Sequence, residues 1–441
     1  MSLFQKISSA LRDDPLIRRV LRNSSYLFSS NTISAVLAFV QGIFVVRLLG
    51  IEKYGAISAV ILFASNVNRL LSFRMSEVVV KYMGEALAQG KNDRAAALAK
   101  WVGIVEAVTS VLAYLVLFIL APWFSKDVDT TALYRFYGLF LLANMIYETS
   151  TGVLQVTDKF KHIAFANLLQ SIVTALLILT AFLMQWNMFE ILTAYLVGKT
   201  LAAFIITNSA VQELKHKLGN EWTHASLGLI TDWKSISRFA FSTNINGTIN
   251  LFARDNIPLY IKYFVSDTAL GYFRLASSLI NLVMLPIEPF IWPTYKEITS
   301  TIAQRQWQAT RTLLKQVSSI AGIWTLLAGG GLIALGWWFI PFVYGADAAP
   351  AYACVLILLV GYGFANVMNW NRPLLLALGQ PNYPLMVAAL TGVIEIICIF
   401  VFVPRGGYLL GAAIFSAYLA ISISINVLRG LSIIKREEAR A

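Results

Sequence analysis

Stretches of about twenty consecutive, almost wholly apolar residues recur along this chain, and no other feature constrains its fold as strongly. A run of that length matches the hydrocarbon thickness of a bilayer, where the backbone must satisfy its own hydrogen bonds and therefore coils into a helix. Twelve such helices are predicted, over about 26–46, 55–77, 101–121, 133–156, 163–184, 189–210, 239–261, 269–292, 317–338, 352–372, 383–403 and 408–428. The 441 residues are 58% apolar and 13% charged, whereas soluble domains carry roughly 25% charge. A soluble domain of this composition would precipitate. The predicted fold class is an all-α polytopic membrane protein.

The same residues exclude several kinds of chemistry. Cys354 and Cys398 both sit inside apolar runs, which argues against a disulfide framework or a thiolate metal site. His162, His216 and His224 fall in polar connections, so no histidine relay crosses a span. No GxxxxGK[ST] phosphate loop occurs. The longest connection between spans, 211–238, leaves no room for a soluble catalytic domain. No catalytic residue, metal or cofactor is expected, and the chain is not expected to be an enzyme.

Positive charge sets the orientation. With both ends placed inside, 23 Lys and Arg fall in inner segments and five (Arg47, Lys53, Lys126, Lys262, Arg405) in outer loops. Both termini are therefore predicted to be cytoplasmic, in a multi-pass membrane protein. The formal charge of +12 follows from this asymmetry beside anionic lipid, and nucleic acid is not expected as a partner. Residues 1–25 place Leu3, Phe4, Ile7 and Leu11, then Leu16, Ile17, Val20 and Leu21, at helical spacing against a basic face. They predict an amphipathic helix on the inner leaflet, with a helix start at Asp13-Asp14-Pro15. Residues 429–441 form a basic tail.

The first and seventh spans align. Tyr26-Leu-Phe-Ser-Ser-Asn31 faces Phe239-Ala-Phe-Ser-Thr-Asn244 at an offset of 213, and Tyr54-Gly55-Ala-Ile57 faces Leu270-Gly271-Tyr-Phe273 at 216. Six spans thus repeat six: an N-lobe at 26–210, a cytoplasmic connection at 211–238 and a C-lobe at 239–428. Both halves enter the membrane in the same sense, so their pseudo-two-fold axis should follow the membrane normal, with a cleft between the lobes near the midplane.

Polar residues inside spans fall on single helix faces. The second span carries Ser58, Ser65, Arg69, Ser72 and Ser76, and the eighth Arg274, Ser277, Ser278, Asn281 and Glu288. The seventh carries Thr243, Asn246, Asn250 and Arg254; the first adds Asn31 near its inner end and Gln41. Ser and Asn suffice to glue a bundle. Three guanidinium groups require water or anions, so Arg69, Arg254 and Arg274 are the leading cavity candidates, with Asn31, Gln41, Asn250 and Asn281 as polar companions. Arg74 and Glu77 read as a simple ion pair. Glu106, Glu148, Glu288 and Glu395 lie deep in spans, where a carboxylate takes a proton more readily than in water. Glu148, Glu288 and Asp255 are the coupling-ion candidates. Pro258, Pro286 and Pro289 predict kinks in the seventh and eighth spans with no counterpart in the first and second.

The stretch Ile43-Phe-Val-Val-Arg47-Leu-Leu-Gly50-Ile-Glu-Lys-Tyr54-Gly55, with Asn31 upstream, resembles the opening of the polysaccharide-transporter family, the Wzx-type flippases. Asp255-Asn-Ile-Pro-Leu-Tyr, Ala269-Leu-Gly271-Tyr-Phe-Arg-Leu-Ala276 and Pro293 resemble its second half. The resemblance implies the fold of the multidrug/oligosaccharidyl-lipid/polysaccharide exporters, two six-helix lobes around a V-shaped central cavity in a bacterial inner membrane, working by alternating access. It implies transfer of an undecaprenyl-diphosphate-linked oligosaccharide repeat unit to the outer leaflet for O-antigen or another surface polysaccharide. It further implies a monomer, with polysaccharide polymerase and chain-length proteins as partners alongside the isoprenoid-linked substrate and the lipid bilayer. Arg69, Arg254 and Arg274 carry over as cationic cavity residues by position. The rival reading, a drug/proton exporter of the same superfamily, calls for an acidic or aromatic cavity.

Overall fold

The computed structural model describes residues 15–125 and 128–439, and among them every regular element is helical. Seven helical stretches are long and apolar enough to cross a membrane, and the bent pair Asp267–Met284 and Glu288–Ala303 makes an eighth. Two of the seven each contain two helices. Pro15–Leu71 is interrupted at Gly50 (φ 79°) and Asn382–Glu438 at Gly407 (φ 70°). Straight, each 57-residue stretch would run about 85 Å, against a hydrocarbon core of roughly 30 Å. Only glycine takes these positive φ values without a steric cost, so each marks the turn between two spans.

Counting each interrupted stretch as two yields ten, and the interrupted helices at 128–156 and 233–264 complete twelve among the described residues. They are α1 (15–49), α2 (51–88), α3 (Asn92–Phe124), α4 (128–156), α5 (Phe160–Leu183), α6 (Met188–Leu218), α7 (233–264), α8 (267–303), α9 (Trp307–Tyr344), α10 (Ala351–Ala377), α11 (382–406) and α12 (408–438). The helix start expected at Asp13-Asp14-Pro15 is observed at Pro15, where proline's missing N–H costs nothing. From Pro15 the helix runs into the first span without a break at residue 25. Residues 1–14, most of the expected interfacial segment, lie outside the described residues, as do Lys126 and the last two residues of the tail.

Five spans are broken in mid-course. The expectation that only the second half would be kinked is corrected, because α2 breaks at 72–74, where Phe73 (φ 50°) and Arg74 (φ 48°) adopt left-handed backbone without any proline. The offset of 216 maps 72–74 onto 288–290, the turn Glu288–Phe290 that interrupts α8 between its prolines. The equivalent helix of each repeat is therefore broken at equivalent sequence positions by different means. Pro258 stands just after the interruption of α7. It lies in the first turn of Ile257–Phe264, just after the wide turn Leu251–Asp255. Likewise α4 is interrupted between Ala143 and Tyr147, and α10 between Val367 and Asn371.

The chain divides into two compact units. The first holds residues up to Gln41, Val67–Ala181 and Phe189–Asn244; the second holds Gly42–Asn66, Phe182–Met188 and the chain from Ile245 onward. Residues 42–66, the α1–α2 turn of the first sequence half, thus cluster with the second half. The first unit packs Met75, Val79 and Met83 of α2 against Ala97 and Leu98 of α3, Leu154 of α4, Ile206 of α6, and Ile236 beyond the connection. The second has a core of Ile298, Trp307, Leu314, Trp370, Leu374 and Ile434, from α8, α9, α10 and α12.

Candidate functional site

In the second unit, two of the three candidate arginines converge. Arg254 lies in the wide turn Leu251–Asp255, whose extra residue per turn rotates it relative to a regular helix. Its exposed guanidinium donates a hydrogen bond to the Tyr362 hydroxyl on α10, and Arg274 of α8 and Asp255 lie within electrostatic range of the same hydroxyl. Arg274 also faces Tyr54 at the start of α2. Its Nε–H is buried and has no hydrogen-bond partner among the described residues. Two cations and one carboxylate around two phenols leave a net positive, donor-rich cluster inside membrane-spanning helices. Such a cluster suits a bidentate oxyanion such as phosphate.

The same unit holds a deeply buried carboxylate. Glu395 on α11 is 3% exposed, and neither carboxyl oxygen has a hydrogen-bond partner among the described residues. It lies within electrostatic range of Tyr260 on α7 and of Tyr418 on α12, and Tyr418 in turn faces Arg254 and Asp255. Nearby, Asn66 Nδ2 donates to Asn256 Oδ1 at 2.8 Å, tying α2 to α7.

In the first unit the carboxylates are engaged. Glu106 on α3 is 2% exposed and accepts the backbone N–H of Glu148 through Oε1 and that of Thr149 through Oε2, each at 2.8 Å. Helix Tyr147–Val156 restarts there inside the membrane with no side-chain cap of its own. Glu106 supplies the cap from another helix, satisfying two donors that hydrocarbon would leave unpaired. The side chain of Glu148 accepts from Ser76 Oγ. Arg74 and Glu77 form the ion pair expected of them, at 2.9 Å.

A family model described as polysaccharide biosynthesis protein matches residues 20–294, well over half of the chain. The chain belongs to that family. Among relatives of this polysaccharide biosynthesis protein is the inner membrane protein YghQ of Escherichia coli (strain K12). It is 22% identical over 347 residues, which cover 77% of this chain and 96% of YghQ. Among solved structures, an inward-facing multidrug resistance MATE family transporter of the MOP superfamily superposes with a TM-score of 0.70 at 12% identity, covering 92% of this chain and 96% of that one. The lipid II flippase MurJ, in an inward closed conformation, also gives 0.70, at 17% identity with 91% and 87% coverage. This family member therefore has the two-lobe, all-helical fold of the MOP transporters.

Within that fold the remaining candidates occupy varied places. Arg69 is exposed on α2, in the first unit, shortly before the break at 72–74. Gln41 is buried and its Nε2 donates to the Ser171 carbonyl of α5 at 3.0 Å, which makes it a helix tie. Asn31 and Asn281 are exposed, and the side chain of Asn250 lies outside the described residues. Glu288 is exposed in the break of α8. Tyr362 escaped the sequence analysis because it sits in an apolar run, Leu358-Leu-Val-Gly-Tyr362-Gly, where nothing distinguishes it from a packing aromatic.

Proposed function

We propose that this polysaccharide biosynthesis protein is a flippase that moves an isoprenoid-diphosphate-linked oligosaccharide from the cytoplasmic to the outer leaflet of a bacterial inner membrane, with both termini cytoplasmic. The observation that carries the proposal is the convergence of Arg254 and Arg274 on Tyr362, with Asp255 as the nearby carboxylate. A diphosphate cannot enter hydrocarbon bare. Paired guanidinium groups held in spans replace its hydration with charge-assisted hydrogen bonds while the isoprenoid tail stays in lipid. The name of MurJ, a lipid II flippase, supports a lipid-linked cargo, and the polysaccharide biosynthesis family supports a glycan headgroup. The MATE likeness raises a drug exporter as the rival, but a cluster with two cations and one carboxylate repels the cationic drugs an acidic cavity would attract.

Directional release requires the inward and outward states to differ in affinity for the cargo. Protonation of Glu395 would alter the charge sensed by Tyr418, which faces Arg254 and Asp255, and so supplies a coupling route that Glu148, held by Ser76, is less free to provide.

Flipping of a fluorescent undecaprenyl-diphosphate oligosaccharide in proteoliposomes tests the reading. Arg254→Ala and Arg274→Ala should each slow it by about ten- to a hundredfold, the loss of one charged hydrogen-bonding group, at unchanged protein yield. Lysine should restore only part, since it keeps the charge and loses the fork. Normal flipping by both alanine variants at normal yield would reject the diphosphate site.

A further inference from the structure

The segment Ile43–Gly55, which carries the family resemblance, contributes no group to the arginine cluster beyond Tyr54, yet its contacts are specific. Arg47, in the last turns of α1 before Gly50, donates through Nε to the Val343 carbonyl at 2.7 Å and through Nη2 to the Phe342 carbonyl. These are among the last carbonyls of α9, which no further turn of helix satisfies and where the helix dipole favours a cation. Arg47 therefore holds the Gly50 turn of the first repeat onto the end of a helix of the second.

The next contact is closer. A Cβ added to Gly55 would overlap the Asp267 carbonyl oxygen and lie 2.9 Å from the Gly271 nitrogen. A Cβ added to Gly271 would overlap the Ile51 carbonyl oxygen and lie 3.1 Å from Ile51 Cγ1. Glycine is required at both places by close approach of backbones, since both residues are helical. The two contacts are one contact twice: Ile51 and Asp267 are 216 apart, as are Gly55 and Gly271, the same offset that aligns the repeats. Exchanging the halves maps Gly55 on Asp267 onto Gly271 on Ile51. A self-complementary contact of this kind occurs where a two-fold axis passes. The first turn of α8 is itself fixed, by a buried Lys262–Asp267 ion pair of 2.6 Å and by Ser266 Oγ accepting the Ala269 N–H at 3.1 Å.

We propose that these contacts form a repeat-to-repeat lock that closes the Gly50 end of the transporter on its pseudo-two-fold axis, with Gly55 and Gly271 as the sliding surfaces and Arg47 as the clasp. The lock rests on the transporter reading but on no particular cargo. Bare backbone surfaces suit a gate, because they separate without leaving interdigitated side chains behind, and small residues let membrane helices approach this closely. Ser58, the next residue one turn deeper on α2, is 6% exposed behind the closed contact.

Thiol labelling tests this in the full chain. In a background lacking both native thiols (Cys354→Ala, Cys398→Ala), Ser58→Cys is the reporter, and a membrane-impermeant charged maleimide is added to right-side-out or inverted vesicles. With the lock intact, labelling should be slow from the Gly50 side. Gly55→Val and Gly271→Val should each raise its rate about tenfold or more, because overpacking a backbone contact forces the surfaces apart. Arg47→Gln, which adds no bulk and threatens folding least, should raise it in the same direction. The fast reaction should occur in right-side-out vesicles; the same rise confined to inverted vesicles would sustain the lock while refuting the proposed membrane orientation. Unchanged labelling from both sides in all three variants, at normal yield and elution volume, would overturn the lock. Because the readout is a thiol, failure of the glycan-lipid assignment leaves this result standing.

Discussion

Replacing Glu106 separates a membrane-embedded helix cap from a proton carrier. Its two carboxyl oxygens each accept a backbone N–H at 2.8 Å, from Glu148 and Thr149, in a site 2% exposed. Alanine removes both acceptors at once, and no water replaces them. A buried unsatisfied donor costs roughly 1–3 kcal/mol, so two cost about 2–6 kcal/mol before any cavity is counted. Glutamine retains one acceptor oxygen and turns its amide donor toward the second N–H, so it should lose roughly half of that, about 1–3 kcal/mol. The measurement is unfolding of the purified protein in mixed micelles by titrated SDS, with glutamine falling between alanine and the parent. The flipping rate per folded molecule should keep its pH profile in the glutamine variant, since a cap does not need to titrate. Stability of Glu106→Ala within about 0.5 kcal/mol of the parent, the range of a neutral surface change, would refute the cap. A glutamine variant of parental stability whose flipping no longer responds to pH would make Glu106 the proton carrier instead.

Two further outcomes follow from the same geometry. Glu395 has no hydrogen-bond partner among the described residues, so Glu395→Gln should fold normally and flatten the pH dependence of flipping; an unchanged profile would remove it from coupling. Reporter fusions in the connection around 219–232 and after Ala441 should report the cytoplasmic side, and at Asp347 the opposite side; an outside signal at the C-terminus would overturn the orientation.

The spans were legible in the sequence because the bilayer reads local properties. A run of apolar residues either reaches across the hydrocarbon or does not, and a lysine in a short loop resists translocation whatever the loop packs against. The repeat was legible for the same reason, as paired residues at a constant offset. Periodicity also put Arg254 and Arg274 on polar faces. It could not say that the two faces meet at Tyr362, because helical spacing determines which residues share a stripe and leaves the rotation and partner of that stripe free. Only packing made Gln41 a tie to the Ser171 carbonyl and Glu106 the cap of a helix forty residues further on, and left Glu395 without a hydrogen-bond partner among the described residues. The aligned glycines show the division most directly. The sequence alone pairs Gly55 with Gly271 across the repeats. That each lies against the carbonyl of the other's helix is decided by how closely two backbones approach, a distance no one-dimensional pattern contains.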